Sequence, residues 1–495
     1  MSPALRSLAK WRMPPLIRRV GLLLGLTALL PGVIALFVLL DGHLTTQAAG
    51  ASPTLVKDIH PGITDSSPSG LANFNGLLVF AADDGVNGSE LWQSDGTLTG
   101  TALVKNINSV SDPADSFISQ LAMVSGTLFF PAYEAATGLE LWKSDGTPTG
   151  TVRLSDIWPG VPSANLGGLT NVNGLLFFRA IDENLGFELF KSDGTPTGTV
   201  MVKDIWAGLS DSYPDGLTSF GGKLFFQAGD SAGGLELWQS DGTLAGTLRV
   251  RDIFTGTTSS NPASLTPVNS ALFFAANDGV NGAELWKSDG TLTGTVLLKD
   301  ISPGITDSAP SGLTNVNGVL FFAANNGVTG SELWRSDGTL TGTVQVLDIN
   351  PGITDSFPYS LTHVDGRLFF AANDGAHGYE VWQSDGTPTG TVMVSDIRSG
   401  LSGSSPSQLT SANGQLFFRA DDGVYGAELW QSDGTFAGTM LVSDLNPDAG
   451  NSNPDSLLVI SQTLFFGATD PVYGREVRSL SVSAPRKLYL PIIYK

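Results

Sequence analysis

From residue 54 to about residue 482 the chain is one 48-residue unit written repeatedly, and that period outranks any local propensity in deciding the fold. The glutamate of a recurrent G-x-E-[LV]-W run stands at Glu90, Glu140, Glu188, Glu236, Glu284, Glu332, Glu380, Glu428 and Glu476, one step of 50 residues followed by steps of 48. The aspartate of a D-I pair keeps the same beat, at Asp58, Asp156, Asp204, Asp252, Asp300, Asp348, Asp396 and Asp444, with Asn106 in its place once. The single longer unit gains its two residues between Asn106 and Phe130, in the stretch SVSDPADS.

Each unit divides into four short apolar runs separated by turn residues. In residues 69–107 the runs are Gly70–Phe74, Leu77–Ala82, Ser89–Gln93 and Thr101–Ile107. Asn75-Gly76 separates the first two and tolerates the paired positive φ angles of a tight type I′ hairpin. Asp84-Gly85-Val86-Asn87-Gly88 and Ser94-Asp95-Gly96-Thr97-Leu98-Thr99-Gly100 make the other turns. Runs this short, bounded by Gly, Asn and Asp, are strands of a meander. No segment after residue 50 carries a helical period.

Successive side chains on a strand point to opposite faces. The second run reads Leu-Leu-Val-Phe-Ala-Ala at 77–82 and Leu-Phe-Phe-Ala-Ala at Leu320–Ala324. Neighbouring Phe residues therefore need both faces covered, and Leu91-Trp92 make the same demand. A four-stranded sheet buried on both sides and repeated every 48 residues is a propeller blade between two others. The fold class expected is all-β: a β-propeller with an N-terminal apolar helix. The chain begins with a lone fourth strand, Thr54–Ile59, and ends with three strands near Leu457–Ile460, Thr463–Ala468 and Arg475–Val482. Joined, these fragments make one composite blade that closes the ring and removes its open edge. The count is nine blades, with eight as the alternative.

The run E-L-W-x-S-D-G-T-x-x-G-T recurs as ELWQSDGTLTGT (90–101), ELWKSDGTPTGT (140–151), ELFKSDGTPTGT (188–199), ELWQSDGTLAGT (236–247), ELWKSDGTLTGT (284–295), ELWRSDGTLTGT (332–343), EVWQSDGTPTGT (380–391) and ELWQSDGTFAGT (428–439). This resembles the bacterial ELWxxDGT-repeat proteins. The resemblance covers about residues 54–482, departing at Phe190 and at EVRSLSV from Glu476, and implies export and a propeller-like fold without an established reaction. The S-D-G-T turn is loosely similar to the Asp-box of sialidase propellers, but its residue order differs and no activity transfers.

Charge and composition narrow the function. The formal net charge is −21, which argues against nucleic acid and anionic lipid surfaces as partners. Zero Cys excludes disulfides, thiolate metal sites and Cys nucleophiles. Four scattered histidines, His43, His60, His363 and His377, make a poor metal site or triad. The basic residues 1–19, the uncharged apolar residues 20–40 and the small residues near Ala48 and Ala51 have the layout of an export signal. The apolar run is also long enough to serve as an uncleaved anchor. Either way the repeats are expected outside a bacterial membrane, secreted or on the cell surface. The tail, residues 487–495, reads as a sorting or anchoring signal or as a docked strand.

Candidate functional residues fall into three groups. Asp84, Asn87, Glu90 and Asp95 are oxygen donors of the kind calcium takes, but their spacing is not that of a calcium loop. The plainer reading is that Asp and Ser bond their own turns and Glu bonds neighbouring amides. Trp92 and its equivalents are expected between blades, whereas Trp158 and Trp206 lie in blade-connecting loops and are candidate ligand contacts. A catalytic reading needs asymmetry, for which His363, His377, Asp112 and Asp115 are the few candidates. The leading expectation is a non-enzymatic binding or scaffold module presenting equivalent loops to protein or glycan. The alternatives are a calcium-stabilised structural surface protein and a hydrolase or lyase acting on carbohydrate in the channel.

Overall fold

A computed structural model describes residues 52–109 and 114–482. The expected export segment, Asp112 and the apolar tail lie outside the described residues. Nine four-stranded antiparallel sheets account for the strands, and no helix occurs among the described residues. Blade one is Ser69–Phe74, Leu77–Asp83, Ser89–Ser94 and Ala102–Lys105, hydrogen-bonded in that order. Seven further meanders follow. The ninth sheet takes Asp455–Ile460, Thr463–Asp470 and Gly474–Ser481 from the C-terminal side and Thr54–Leu55 from the N-terminal side. Thr54 stands opposite Ser479 and Leu55 opposite Arg478. The nine-blade count and the composite closure are therefore as the repeat arithmetic requires.

The first strands are innermost. Successive first strands pack on one another around the axis, and the Thr170, Thr266, Thr314 and Thr362 hydroxyls each donate to a Leu carbonyl on the next blade's first strand. The Asn75-Gly76 hairpin has φ of 52° and 90°, as a type I′ turn demands.

The strand faces alternate between two neighbours. Leu78, Phe80, Ala82 and Trp92 pack with Ile460, Phe465 and Val477 of blade nine. Val79, Ala81 and Leu91 pack with Leu128, Phe130 and Trp142 of blade two. One Phe per blade, from Phe80 to Phe466, is 0% exposed. Burying an aromatic side chain of this size stabilises by about 1.5–3 kcal/mol, so these repeated layers dominate cohesion of the ring.

The fourth strands are shorter than the sequence suggests. Thr101 is held by the preceding turn, and the Ile107 amide donates to the Glu90 carboxylate instead of a strand carbonyl. The N-terminal strand ends at Leu55, not Ile59, and the Ile59 amide is likewise bound by the Glu476 carboxylate.

The antiparallel order gives the ring two distinct ends. The turns joining third to fourth strands, with the Asn75-Gly76 class of hairpins, form the turn end. The turns joining second to third strands share the other end with the blade-to-blade connectors, and Gly85 of one such turn lies against His60 of the preceding connector.

Candidate functional site

The repeated glutamates are buried clamps. Glu90 is 0% exposed. Its carboxylate accepts the amides of Ile107 and Asn108 at 2.9 and 3.2 Å and the Ser116 hydroxyl at 2.5 Å. The same scheme recurs, as when Glu188 takes the amides of Ile205 and Trp206 and the Ser212 hydroxyl. Each clamp ties a third strand to the connector that leaves its blade. Burial pushes Glu188 up to about 7, against the downward pull of the Ile205 amide, the Ser212 hydroxyl and the Trp206 amide. Blade two departs: Ala164 stands where the Ser hydroxyl belongs, and Glu140, also raised to about 7 by burial, accepts the Ile157 and Trp158 amides without it. Walled in by N–H and O–H donors, these carboxylates are out of reach of a solvent-borne substrate.

The S-D-G-T-x-x-G-T run folds as a self-bonded turn. Ser94 Oγ accepts the Gly96 amide and shares a hydrogen bond with Thr101 Oγ1. Asp95 Oδ1 accepts both the amide and the hydroxyl of Thr97, and these bonds, the hydroxyl's first, hold its carboxyl below the usual range. Thr97 Oγ1 takes the Gly100 amide, and Thr101 Oγ1 donates to the Thr97 carbonyl. A Cβ on Gly100 would overlap the Asp95 carboxylate, and the same holds for the seven equivalent glycines from Gly150 to Gly438. The motif is thus the minimum set of residues that closes this turn.

The four candidate calcium ligands are not brought together. Asp84 Oδ1 accepts the amides of Val86 and Asn87, and Oδ2 takes the Asn87 side-chain amide. Burial works against Asp84 ionisation, but these donors, the Asn87 amide foremost, outweigh it and lower the carboxyl. Asn87 Oδ1 is held by the Asn106 side chain. Glu90 faces its connector and Asp95 closes a turn at the opposite end. Among the described residues no cluster of three His, Asp or Glu side chains has the geometry of a metal site.

The other candidates are dispersed. His363 Nε2 accepts the Gly366 amide in a hairpin at the turn end. His377 bonds Asp374 at 2.7 Å at the connector end, which raises the imidazole above its usual range. Asp115 accepts the Ser89 amide. Trp158 and Trp206 are half-buried rather than exposed. Trp158 packs on the core between blades two and three, and both give their main-chain amides to glutamate clamps.

One repeated device escaped sequence reading. Lys105, Lys203, Arg251 and Lys299 at the ends of fourth strands, and Lys57 just past the N-terminal one, each lie over the Trp of the next blade, 5.5–5.8 Å from the ring centre. Each cation also donates to a Thr carbonyl just past that blade's S-D-G-T turn. The cation is replaced by Ser155 before Phe190, and by Leu347 and Ser395 before Trp382 and Trp430, so the pairing does not follow the Trp strictly.

What remains exposed is concentrated at the connector end. Ile63, Val161, Leu209, Ile305, Ile353 and Leu401 occupy the same connector position and are 65–85% exposed. Val86, Val280, Val328, Val424 and Val472 are their counterparts in the adjacent second-to-third-strand turns. Phe117, Tyr213 and Phe357 sit in the connectors with φ of 44–49°, a left-handed conformation that bulky residues rarely adopt. With Tyr425 and Tyr473, sixteen of the twenty-six large apolar side chains exposed among the described residues lie at this end.

No family model matches the chain, and no curated protein does. Similar solved structures include puromycin hydrolase, 14% identical over 76% of this chain and 61% of that one, with a TM-score of 0.32. BamB from Moraxella catarrhalis is 13% identical over 74% of this chain and 94% of its own, with a TM-score of 0.38. Prolyl oligopeptidase B from Galerina marginata is 12% identical over 76% of this chain and 55% of its own, with a TM-score of 0.39. The chain thus spans less than two thirds of the puromycin hydrolase and prolyl oligopeptidase B chains.

Proposed function

We propose that this chain is an exported, non-enzymatic propeller of the ELWxxDGT-repeat kind, and that it binds protein or glycan through the connector end of its ring. The observation that carries the reading is the repeated exposure of aliphatic side chains at one connector position in six blades, 65–85% exposed, on a frame whose repeated glutamates and S-D-G-T aspartates are internally bonded. Loops on a rigid scaffold are where binding resides, and equivalent weak sites on one ring add through avidity. The repeated glutamates and the aspartates of the S-D-G-T turns are committed to structural hydrogen bonds, which favours binding over hydrolysis.

The test is a screen of the full-length chain against a glycan array and a panel of surface proteins, repeated with an Ile63→Ser, Ile305→Ser, Ile353→Ser variant. The reading requires at least one ligand whose binding the variant weakens. A screen without ligands, or ligands indifferent to the variant, contradicts it.

A further inference from the structure

We propose that the ligand of the connector end is a cationic polypeptide segment rich in aliphatic residues. This rests on the binding reading above and narrows it. Single exposed apolar residues are ordinary, but here the same position is aliphatic from blade to blade, which is a surface feature of the ring.

Charge selects the partner. Among the described residues, seven of eight lysines place their ammonium groups on carbonyls of the turns at the opposite end, as Lys57 does on Thr101 and Lys143 on Gly194. Three arginines of the connector end are neutralised locally: Arg179 pairs with Asp215, Arg398 with Asp421 and Arg475 with Asp455. The connectors themselves add acids two residues beyond the aliphatic tips, including Asp65 after Ile63, Asp307 after Ile305 and Asp355 after Ile353, each with one oxygen on a main-chain amide and, among the described residues, no cation paired to it. The lysine heads therefore gather at one end and unpaired acid remains at the other, in a chain of net charge −21.

This pairing of aliphatic tips with acid disfavours other occupants on physical grounds. Anionic lipid is repelled. A second copy would bring two acidic faces together. Sugars stack on aromatic rings, and eleven of the sixteen exposed apolar side chains at this end are Ile, Leu or Val, which favours a polypeptide. A chain carrying Lys or Arg beside Leu or Ile satisfies both features, and contact at several blades multiplies its affinity.

The probe is a fluorescent amphipathic peptide of leucine and lysine, with a leucine–glutamate peptide as its counterpart, titrated into the full-length chain. The Ile63→Ser, Ile305→Ser, Ile353→Ser variant is compared with a Leu98→Ser, Leu244→Ser, Leu292→Ser variant at the turn end, each checked for an unchanged melting temperature. The leucine–lysine peptide is expected to bind with a salt-sensitive Kd, roughly tenfold weaker in the connector variant and within about twofold in the turn-end variant. Equal effects of the two variants, preference for the glutamate peptide, connector-dependent binding of phosphatidylglycerol vesicles, or connector-dependent dimerisation would each overturn the proposal. If the peptide fails while a glycan still binds in a connector-dependent way, this inference falls and the broader binding reading stands. If neither binds, both fall.

Discussion

At the scale of single residues, the repeated motif is a set of mutually dependent bonds. Gly100 lacks a side chain because the Asp95 carboxylate occupies the place of its Cβ. Gly100→Ala is expected to destabilise by about 1–3 kcal/mol through overpacking, and the cost should shrink in an Asp95→Ala background. A denaturation double-mutant cycle checks this coupling. The missing hydroxyl of blade two offers the reverse experiment. Ala164→Ser restores the donor that eight other clamps have, and should stabilise by about 0.5–1.5 kcal/mol, read as a higher midpoint in urea. The clamps also set a pH dependence. Glu140, Glu188, Glu332 and Glu476 are pushed up to about 7 by burial, from an ordinary value of 4.5. A raised carboxyl favours the protonated native state, so its contribution is complete below about 4.5 and is lost as pH climbs through 7. The turn aspartates, lowered by Thr hydroxyls and amides, act oppositely and lose their contribution as pH falls below 3.8. The melting temperature should therefore peak near pH 5 and decline towards pH 8. A curve that rises from pH 5 to pH 8 contradicts the clamp account. Because the turn carboxylates already hold amide and hydroxyl donors, EDTA should leave the melting temperature unchanged, as calorimetry can show.

At the scale of the elements, five of the nine blade junctions are stapled at the outer edge by a cation over a tryptophan. Lys203 lies over Trp238 and bonds the Thr247 carbonyl. Lys203→Met keeps the aliphatic stem and removes the charge, and should cost about 1–2 kcal/mol in thermal denaturation. Strand positions were readable because period-two alternation with both faces apolar has one solution, a sheet packed between sheets. Leu78 and Val79 show it directly, one facing blade nine and the other blade two. Strand ends were less readable. The Ile107 amide looked like a continuation of the fourth strand, yet a buried glutamate 17 residues earlier captures it. That bond spans two elements and leaves no trace in local pattern. The candidate site was legible in part: the connectors were singled out, but the aromatic pair Trp158 and Trp206 drew attention while the exposed aliphatic position five residues beyond six of the D-I aspartates did not. An isoleucine in a loop carries no chemical signature until its exposure is known.

At the scale of the whole molecule, the claim is a ring of nine blades closed by the chain's two ends. Closure depends on a two-residue strand, Thr54–Leu55, and on the core residues Val56 and Ile59 behind it. Blade nine departs from the repeat at the same place, with Arg478 in the Trp position, 5% exposed and paired with Asp470. The chain has no cysteine, so one pair of introduced thiols reports on this closure without interference. Thr54 and Ser479 are cross-strand partners whose hydroxyls lie 3.0 Å apart across 425 residues of sequence. In a Thr54→Cys, Ser479→Cys variant, mild oxidation should form an intramolecular disulfide in the folded chain and raise the melting temperature. Two thiols that stay free and fully alkylable in the native state would contradict the closed ring.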